Sequence, residues 1–166
     1  MTMKTRITHK LLFYLLLNAA TLTMLAAQTG RNGSNSINIT SSNPQFERAV
    51  LNLTNQARRE QGLPALQWSE SLAKAARYHA GHMAKYRYFD HDTHLSDGRR
   101  MSPAERIAHF DKNYSGENIA WGQRTPQDVI KSWINSPGHR ANMLNRDSTR
   151  LGVGYVRGYW VQVFGR

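Results

Sequence analysis

The chain of 166 residues contains no cysteine. No disulfide can therefore hold the fold together, and a stable domain has to rest on a hydrophobic core alone. The stretch 28–43 (QTGRNGSNSINITSSN) is too polar to contribute to such a core, so it is expected to be a flexible leader. Residues 44–166 are long enough to bury a core, and they are expected to form one domain.

The N-terminus has the pattern of a secretory signal peptide. Basic residues Lys4, Arg6 and Lys10 precede an apolar run from Leu11 to Ala27, which ends in two alanines. The pattern predicts a signal peptide over residues 1–27 and a protein that is secreted or periplasmic. An uncleaved N-terminal anchor is the alternative, although the strongly apolar part is shorter than the roughly 20 residues of a membrane span.

The chain is cationic, with a net charge of +11, of which the first 27 residues supply +3. A positive charge favours attraction to anionic surfaces such as membranes and envelope polymers. The basic residues are scattered, and no nucleic-acid-binding motif accompanies them, so no nucleic acid partner is expected. The protein is expected to be a monomer or a weak oligomer.

Capping residues mark the starts of four helices. Asn43-Pro44 and Ser69 precede apolar residues at helical spacing. In the second helix, the inner face is predicted to contain Leu72, Ala76, His79, Met83 and Tyr86. Ser102 and Thr125 begin segments of the form S/T-x-x-D/E, which is typical of a capping box.

Strands are predicted between and after these helices. GENIAWG (116–122) alternates so that Glu117, Ile119 and Trp121 share one face. Residues Leu151 to Gly165 read as two strands joined near Arg157-Gly158, and the glycines of Gly-Val-Gly (152–154) indicate close backbone packing. The order of elements predicts an α+β fold with helices on a small, largely antiparallel sheet.

Several histidines could take part in metal chemistry. His79 and His82 are three residues apart on a predicted helix, which would suit a shared metal. The competing interpretation is a packed His79 beside an exposed His82. In FDHDTH (89–94), His91 and His94 flank Asp92, a local pattern that is weak by itself.

Two glutamates have different expected roles. Glu105 is the fourth residue of a capping box that begins at Ser102, so its carboxylate could simply bond a backbone N–H. Glu117 points where Ile119 and Trp121 point, and an inward carboxylate is costly unless it is paired, protonated or facing a wet cleft.

SPGHRANML (136–144) holds a histidine just after a Pro-Gly pair, which predicts a tight turn in front of His139. Ser136 lies three residues earlier, but proximity in sequence does not make a catalytic triad. The chain has no H-E-x-x-H and no G-x-S-x-G motif, so the usual zinc peptidase and serine hydrolase patterns are missing.

Five motifs in order resemble those of the CAP superfamily, which comprises cysteine-rich secretory proteins, antigen 5 and plant pathogenesis-related proteins and is also called the SCP domain. They are FDH (89–91), SPAER (102–106), GENIAWG, SPGHRANML and YWVQVFG (159–165). The resemblance covers roughly residues 45–166. It implies an α-β-α sandwich with the small sheet between layers of helices.

The resemblance also implies a cleft lined by four residues, here called the tetrad: His91, Glu105, Glu117 and His139. In related proteins such a tetrad can bind a divalent metal through the histidines. The expected metal ligands are therefore His91 and His139, with Zn²⁺ as the expected ion. Asp92 departs from the commoner family pattern and adds a carboxylate beside His91. Asn118 and Arg140 are expected to be structural neighbours.

Three functions remain open at this point. The first is a secreted binding module that holds a metal at the tetrad and engages a lipid, a sterol-like ligand, or an envelope or host surface component. The second is a hydrolase, a metal-dependent or Ser/His/Glu peptidase, that uses His139 and Glu117 as catalytic acid and base. The third is a structural or adhesive cationic protein whose tetrad only supports the fold.

Overall fold

The computed structural model describes residues 42–166, so the predicted signal peptide (1–27) and nearly all of the predicted leader (28–43) lie outside it. The elements in chain order are α1 (Pro44–Glu60), β1 (Gln67–Trp68), α2 (Glu70–Tyr86), β2 (Thr93–His94), β3 (Arg100–Met101), α3 (Pro103–Ala108), β4 (Tyr114–Trp121), α4 (Pro126–Ile134), α5 (Pro137–Met143), β5 (Arg150–Val156) and β6 (Tyr159–Gly165).

The sheet at the centre of the fold has the strand order β1-β5-β6-β4. The pairs β5–β6 and β6–β4 are antiparallel, and the two-residue strand β1 runs parallel to β5. Strands β2 and β3 form a separate small antiparallel pair. The largely antiparallel sheet that the sequence predicts is therefore confirmed.

Helices cover both faces of the sheet. One core cluster joins α1, α4 and α5 to one face, with Val50, Trp133 and Trp160 fully buried. A second cluster joins α2 and α3 to the opposite face through residues such as Met83, Ile107 and Val161. This arrangement is the α-β-α sandwich that the resemblance implies. Residues 42–166 therefore bury a hydrophobic core on each face of the sheet.

Two glycines bring α2 directly onto the sheet. A Cβ added to Gly152 would lie 2.0 Å from the backbone nitrogen of Ala73, and one added to Gly154 would lie 2.4 Å from the backbone of Ala76. Side chains at these positions of β5 would push the helix away. The close packing predicted for Gly-Val-Gly is confirmed, and it fixes α2 along β5.

The capping residues define the helix starts as predicted. The side chains of Asn43, Ser69, Ser102 and Thr125 each accept a hydrogen bond from the first turn of α1, α2, α3 and α4 respectively. The prediction for the inner face of α2 is wrong at Tyr86, which is 53% exposed. Tyr86 is the last residue of the helix, where periodicity no longer ensures a covering layer.

The prediction of a tight turn at Pro137-Gly138 is also wrong, because both residues belong to the first turn of α5. Proline is favourable there, since the first helical position needs no N–H donor and proline already has a helical φ angle. His139 therefore lies in the first turn of a short helix. Its position is fixed by helical geometry and by the packing of α5.

Arg58, in the last turn of α1, is buried and hydrogen bonds to distant parts of the chain. Its guanidinium donates to the carbonyl oxygens of Met143 and Asn145 at 2.9 and 2.8 Å, and to that of Pro64 at 2.9 Å. A fourth bond reaches the carbonyl of Ser148 at 3.3 Å. Arg58 thus holds the segment that follows α5.

No helix among residues 42–166 combines the length and the apolar character that a membrane span requires.

Candidate functional site

Glu117 is the centre of the candidate site. It lies on β4 with its side chain buried, as predicted, whereas Trp121, which was predicted to share this inward face, is 60% exposed at the end of the strand. The buried guanidinium of Arg106, from α3, forms an ion pair with its Oε2. Arg106 also donates to the carbonyl oxygen of His91 at 2.8 Å and to Oγ1 of Thr93 at 3.1 Å. One arginine therefore joins α3, β4 and the loop that carries His91.

The other oxygen of Glu117 holds the ring of His91. Nδ1 of His91 lies 3.0 Å from Oε1 of Glu117, while 48% of the His91 side chain is exposed. A carboxylate at Nδ1 favours the tautomer that carries its proton there, which leaves Nε2 with a free lone pair. Glu117 thus orients an exposed imidazole whose second nitrogen can accept a proton or bind a metal.

The same contacts shift the pKa values of both groups. Burial alone would raise the pKa of Glu117, but the hydrogen bond from His91 and the charge of Arg106 outweigh it and hold the pKa below its ordinary value. The hydrogen bond to Glu117 raises the pKa of His91. Glu117 is therefore a carboxylate at neutral pH, which suits an orienting group better than a proton donor.

His139 lies close to this pair and is held through its backbone. Nδ2 of Asn118 donates to the carbonyl oxygen of His139 at 3.1 Å. Asn142, one turn further along α5, donates to Oδ1 of Asn118 at 2.9 Å and to the carbonyl oxygen of Glu117 at 3.1 Å. Burial, and secondly the charge of His91, lower the pKa of His139. The two imidazoles are thus within electrostatic reach, and His139 is neutral at neutral pH.

Glu105, the fourth residue of the tetrad, is engaged elsewhere. Its Oε2 accepts hydrogen bonds from the backbone nitrogen and the hydroxyl of Ser102, at 2.9 and 2.7 Å. These bonds lower its pKa, and the side chain is fully exposed to solvent. The capping interpretation of Glu105 therefore describes its contacts in this structure. Its placement in the cleft stays an expectation from the resemblance.

The remaining histidines on α2 are buried and structural. Nε2 of His79 lies 2.9 Å from the carbonyl oxygen of Asp90, and Nδ1 of His82 lies 2.8 Å from the hydroxyl of Tyr88. Burial lowers the pKa of each to about 4. The expectation of an exposed His82 is wrong, because aromatic rings of Tyr86 and Tyr88 cover it.

The donors that remain for a metal are two imidazoles. Within residues 42–166 no group of three or more His, Cys, Asp or Glu side chains is arranged to hold a metal ion. The carboxylate of Glu117 is bonded to His91 and Arg106, and that of Glu105 to Ser102. Two imidazoles suit zinc, but catalytic zinc sites commonly have three protein ligands. In the tetrad, the ring of His91 contacts the carboxylate of Glu117, and no described hydrogen bond joins Glu105 or a second carboxylate to the ring nitrogens of His91 or His139.

The hydrogen bonds of the site give less support to a serine or threonine nucleophile than to metal-binding histidines. In the described part of the chain, no serine or threonine hydroxyl hydrogen bonds to the ring of His91 or His139. Ser136 is the N-cap residue of α5, and its side chain makes no capping bond. The residues of the site can orient and bind, whereas a Ser-His pair is not assembled.

The order of motifs and the architecture agree with a family model. The model of the cysteine-rich secretory protein family, CAP, matches residues 51–164. The chain belongs to the CAP family. The match begins within α1 and ends at Phe164 in β6, and so it includes every residue of the site described above.

Relatives of this CAP domain occur in bacilli. The chain is 41% identical over 143 residues to the uncharacterised protein YkwD of Bacillus subtilis (strain 168), which covers 84% of this chain and 54% of YkwD. It is 36% identical over 118 residues to the membrane protein YlbC of the same organism, covering 71% of this chain and 34% of YlbC. The chain thus spans about half or less of the curated relatives it matches.

A solved structure with the same fold comes from Bacillus anthracis strain Ames. It is described as an extracellular protein containing a SCP domain, and it superposes with a TM-score of 0.67 at 32% identity. The superposition covers 74% of this chain and 40% of that chain.

Sequence reasoning missed the most connected residue of the CAP site, Arg106. Arg106 could have been predicted as a partner of Glu117, since an inward carboxylate needs a cation nearby. Arg106 is also a basic residue adjacent to Ile107, which is buried. No sequence pattern identified Thr93 or Asn142 as residues of the site. Asn118 was expected to be a structural neighbour, and its bonds to His139 and Asn142 agree with that expectation.

Proposed function

We propose that this CAP domain is an exported binding module that holds a divalent metal, with Zn²⁺ as the expected ion, between His91 and His139. The observation that carries the proposal is the hydrogen bond from Nδ1 of His91 to the carboxylate of Glu117. Histidines that bind metals commonly donate their other ring N–H to a carboxylate, which fixes the tautomer and the ring orientation. His139, whose pKa is lowered, supplies the second neutral imidazole.

A metal at this place would act as a cationic anchor for an oxygen or nitrogen donor of a bound molecule. The residues of the chain would supply the rest. Arg106 keeps Glu117 ionised, Glu117 keeps the lone pair of His91 directed away from the core, and Asn118 holds the first turn of α5. Because the protein offers two ligands, the metal is expected to bind weakly and to exchange readily.

Calorimetric titration with Zn²⁺ tests this proposal on residues 28–166. His91→Ala and His139→Ala should each reduce the affinity at least tenfold. His109→Ala is the matched control, since His109 is exposed and outside the cleft, and it should bind like the wild type. Affinity should also fall with decreasing pH, because protons compete for the imidazoles. Equal binding by all three variants and the wild type would rule the site out.

A groove between α1 and α4 supports the lipid part of the proposal. It encloses about 280 Å³, and its walls include Leu53, Ala57, Ile130 and Ile134. Lys131 and Glu60 also line it. We propose that an acyl chain lies along the apolar wall of this groove, with its acidic head group beside Lys131 and away from Glu60. Ala57→Trp, which fills the groove, should abolish binding of a fluorescent fatty acid, whereas Ala104→Trp on exposed α3 should not.

Export is proposed from the N-terminal pattern and from the similarity to an extracellular SCP-domain protein. Expression in a Gram-positive host and N-terminal sequencing of the protein from the medium would test it. Sequence beginning near Gln28 supports export with cleavage. Protein that remains with the membrane fraction and begins at Met1 supports the anchored alternative.

A further inference from the structure

Two arginines occupy backbone conformations that disfavour them. Among residues 42–166, Arg87 (φ 55°) and Arg157 (φ 49°) are the non-glycine residues with positive φ. Arg87 is the C-cap residue that follows α2, and Arg157 precedes Gly158 (φ 86°) in the turn between β5 and β6. Glycine or asparagine would adopt these conformations at lower cost, and Asn-Gly is the preferred pair in such a turn. The strain at both places suggests that the side chains serve a function.

Both arginines lie at the same end of the domain. Gly152 and Gly154 of β5 contact residues 72–73 and 76–77 of α2 in turn, so the helix and the strand run in the same direction. Further along, Val156 packs in one cluster with Ala80 and Met83. The last turn of α2 therefore lies beside the β5–β6 turn. We call this region, formed by residues 84–88, 121–124 and 156–159, the hairpin end.

The hairpin end is uniformly basic. Its three segments contain Lys85, Arg87, Arg124 and Arg157, all exposed, and no acidic residue. In the described part of the chain none of these four side chains forms an ion pair. The acids nearest in sequence are already engaged. Asp90 is paired with His94 and Arg100, and Asp128 accepts a hydrogen bond from Thr125.

Exposed aromatic rings accompany these charges. Trp121, at the end of β4, is 60% exposed and stacks on Tyr159 with ring centroids 5.8 Å apart. Tyr86 is 53% exposed, and Nζ of Lys85 lies 4.9 Å from the centre of its ring. Trp and Tyr favour the boundary between water and hydrocarbon, where an apolar ring body and a polar edge are both satisfied.

The chain also enters the domain at this end. Ser42 forms an isolated antiparallel bridge with Val156, the residue before the β5–β6 turn. The 41 residues that precede Ser42 include the apolar run 11–27. A chain attached to a membrane through that run would therefore join the domain at the hairpin end.

We propose that the hairpin end docks on the surface of an anionic lipid bilayer. Trp121, Tyr159 and Tyr86 lie at the level of the head groups, and the four basic side chains contact acidic phosphates. Basic residues near an anionic membrane surface each strengthen partitioning by about fivefold. This surface is separate from the His91–His139 cleft and from the groove between α1 and α4, so it does not rest on the proposed function.

A bilayer explains the surface better than an anionic polymer does. A soluble polyanion would need the four charges, but it would gain little from a stacked and exposed Trp121–Tyr159 pair. The entry of the chain at Ser42 also relates to a membrane and has no bearing on a polymer. Binding to a polyanion is therefore the competing outcome of the test.

The test measures cosedimentation of residues 28–166 with vesicles of phosphatidylglycerol and phosphatidylcholine, and with vesicles of phosphatidylcholine alone. Wild type should bind the first and not the second. The double variant Arg87→Asn/Arg157→Asn should bind the anionic vesicles at least tenfold more weakly. Its melting temperature should equal or exceed that of the wild type, because asparagine relieves the backbone strain.

A matched control removes two positive charges from the end of the domain opposite the hairpin end. Arg59 follows Arg58 in the last turn of α1, and Lys112 follows Asp111, which is paired with Arg150 at the start of β5. Both are exposed. The variant Arg59→Gln/Lys112→Gln should keep vesicle binding within about twofold. Equal weakening in the two double variants would show that net charge alone is responsible and would overturn the proposal.

Trp121→Thr separates the bilayer from the polymer. This variant should bind anionic vesicles more weakly and bind soluble polyphosphate as the wild type does. Unchanged vesicle binding by Trp121→Thr, or absence of vesicle binding by the wild type, would overturn the proposal. His91→Ala should leave vesicle binding intact, which separates this result from the outcome of the metal experiment.

Discussion

Arg106 and Glu117 form an ion pair whose side chains are 1% and 3% exposed. Removing one partner leaves the other charge buried and uncompensated. We expect Arg106→Met to reduce the free energy of unfolding by about 3–5 kcal/mol, measured by urea denaturation. The double variant Arg106→Met/Glu117→Met should be more stable than the single variant, since both charges are then absent. A double variant that is less stable would contradict this account.

The two buried histidines of α2 make stability depend on pH. The pKa of His79 is lowered from 6.5 to about 4. Between these two pH values the unfolded chain therefore binds more protons than the folded chain does. Stability should therefore fall as the pH decreases from 6.5 towards 4, by about 3 kcal/mol for a fully buried group. His79→Gln keeps a donor for the carbonyl of Asp90 and cannot titrate. Its unfolding midpoint should change less over this range, and a slope equal to that of the wild type would exclude His79 as the cause.

The capping bond of Glu105 can be separated from a role in the cleft. Ser102→Ala should reduce the free energy of unfolding by about 1 kcal/mol, the usual value for a lost N-cap, whereas Glu105→Gln should leave stability nearly unchanged. Because the carboxylate bonds Ser102, we expect Glu105→Gln to leave Zn²⁺ affinity unchanged in calorimetry. A tenfold loss of affinity in a variant of normal stability would instead place Glu105 in the cleft, as the family resemblance implies.

Asn118 is expected to position His139. Its side chain holds the carbonyl oxygen of His139 and accepts from Asn142, so Asn118→Ala should free the first turn of α5. Loss of a group that orients a metal ligand typically reduces metal affinity by 10–100-fold. We expect a loss of about tenfold in Zn²⁺ titrations. Asn113→Ala, at an exposed site outside the cleft, is the control for a general effect of the substitution.

The glycines of β5 should tolerate no side chain. Gly152→Ala places a Cβ 2.0 Å from the backbone of α2, so the helix would have to move and the core on that face would open. We expect this variant to unfold at a much lower temperature or to fail to fold. Gly138→Ala is the matched control, because nothing lies within 4 Å of the added atom. Similar melting temperatures for the two variants would refute the close-packing explanation.

Much of the fold is predictable because its determinants are local. The four capping residues act within one turn of their helices. The burial of Glu117 was predicted from the pattern of β4, although residues 117–120 are all buried and burial does not alternate there. Arg157-Gly158 is a turn that the sequence identifies directly. Errors occurred where a local pattern has two structural uses. A Pro-Gly pair is found in tight turns, but it also suits the first turn of a helix such as α5. Tyr86 continues the helical spacing of apolar residues in α2, but it lies beyond the end of the sheet that covers them and is exposed.

The candidate site is less predictable because its contacts are long-range. Glu117 was expected to need a partner, but the contact with Arg106 depends on α3 packing beside β4, which no local pattern encodes. The proximity of His91 to Glu117 followed from the family resemblance alone. The burial of His82 depends on Tyr88, which reaches back from the loop after α2.

The bonds of Arg58 set a limit on how this domain can be moved between proteins. The segment 143–148, which follows the helix of His139, is held by a side chain of α1 that makes no contact with the cleft. A fusion that began at the short strand β1 would keep every residue of the tetrad and lose this support. A transferable unit therefore has to include α1, and a shorter insert would carry the motifs without the bonds that hold this segment.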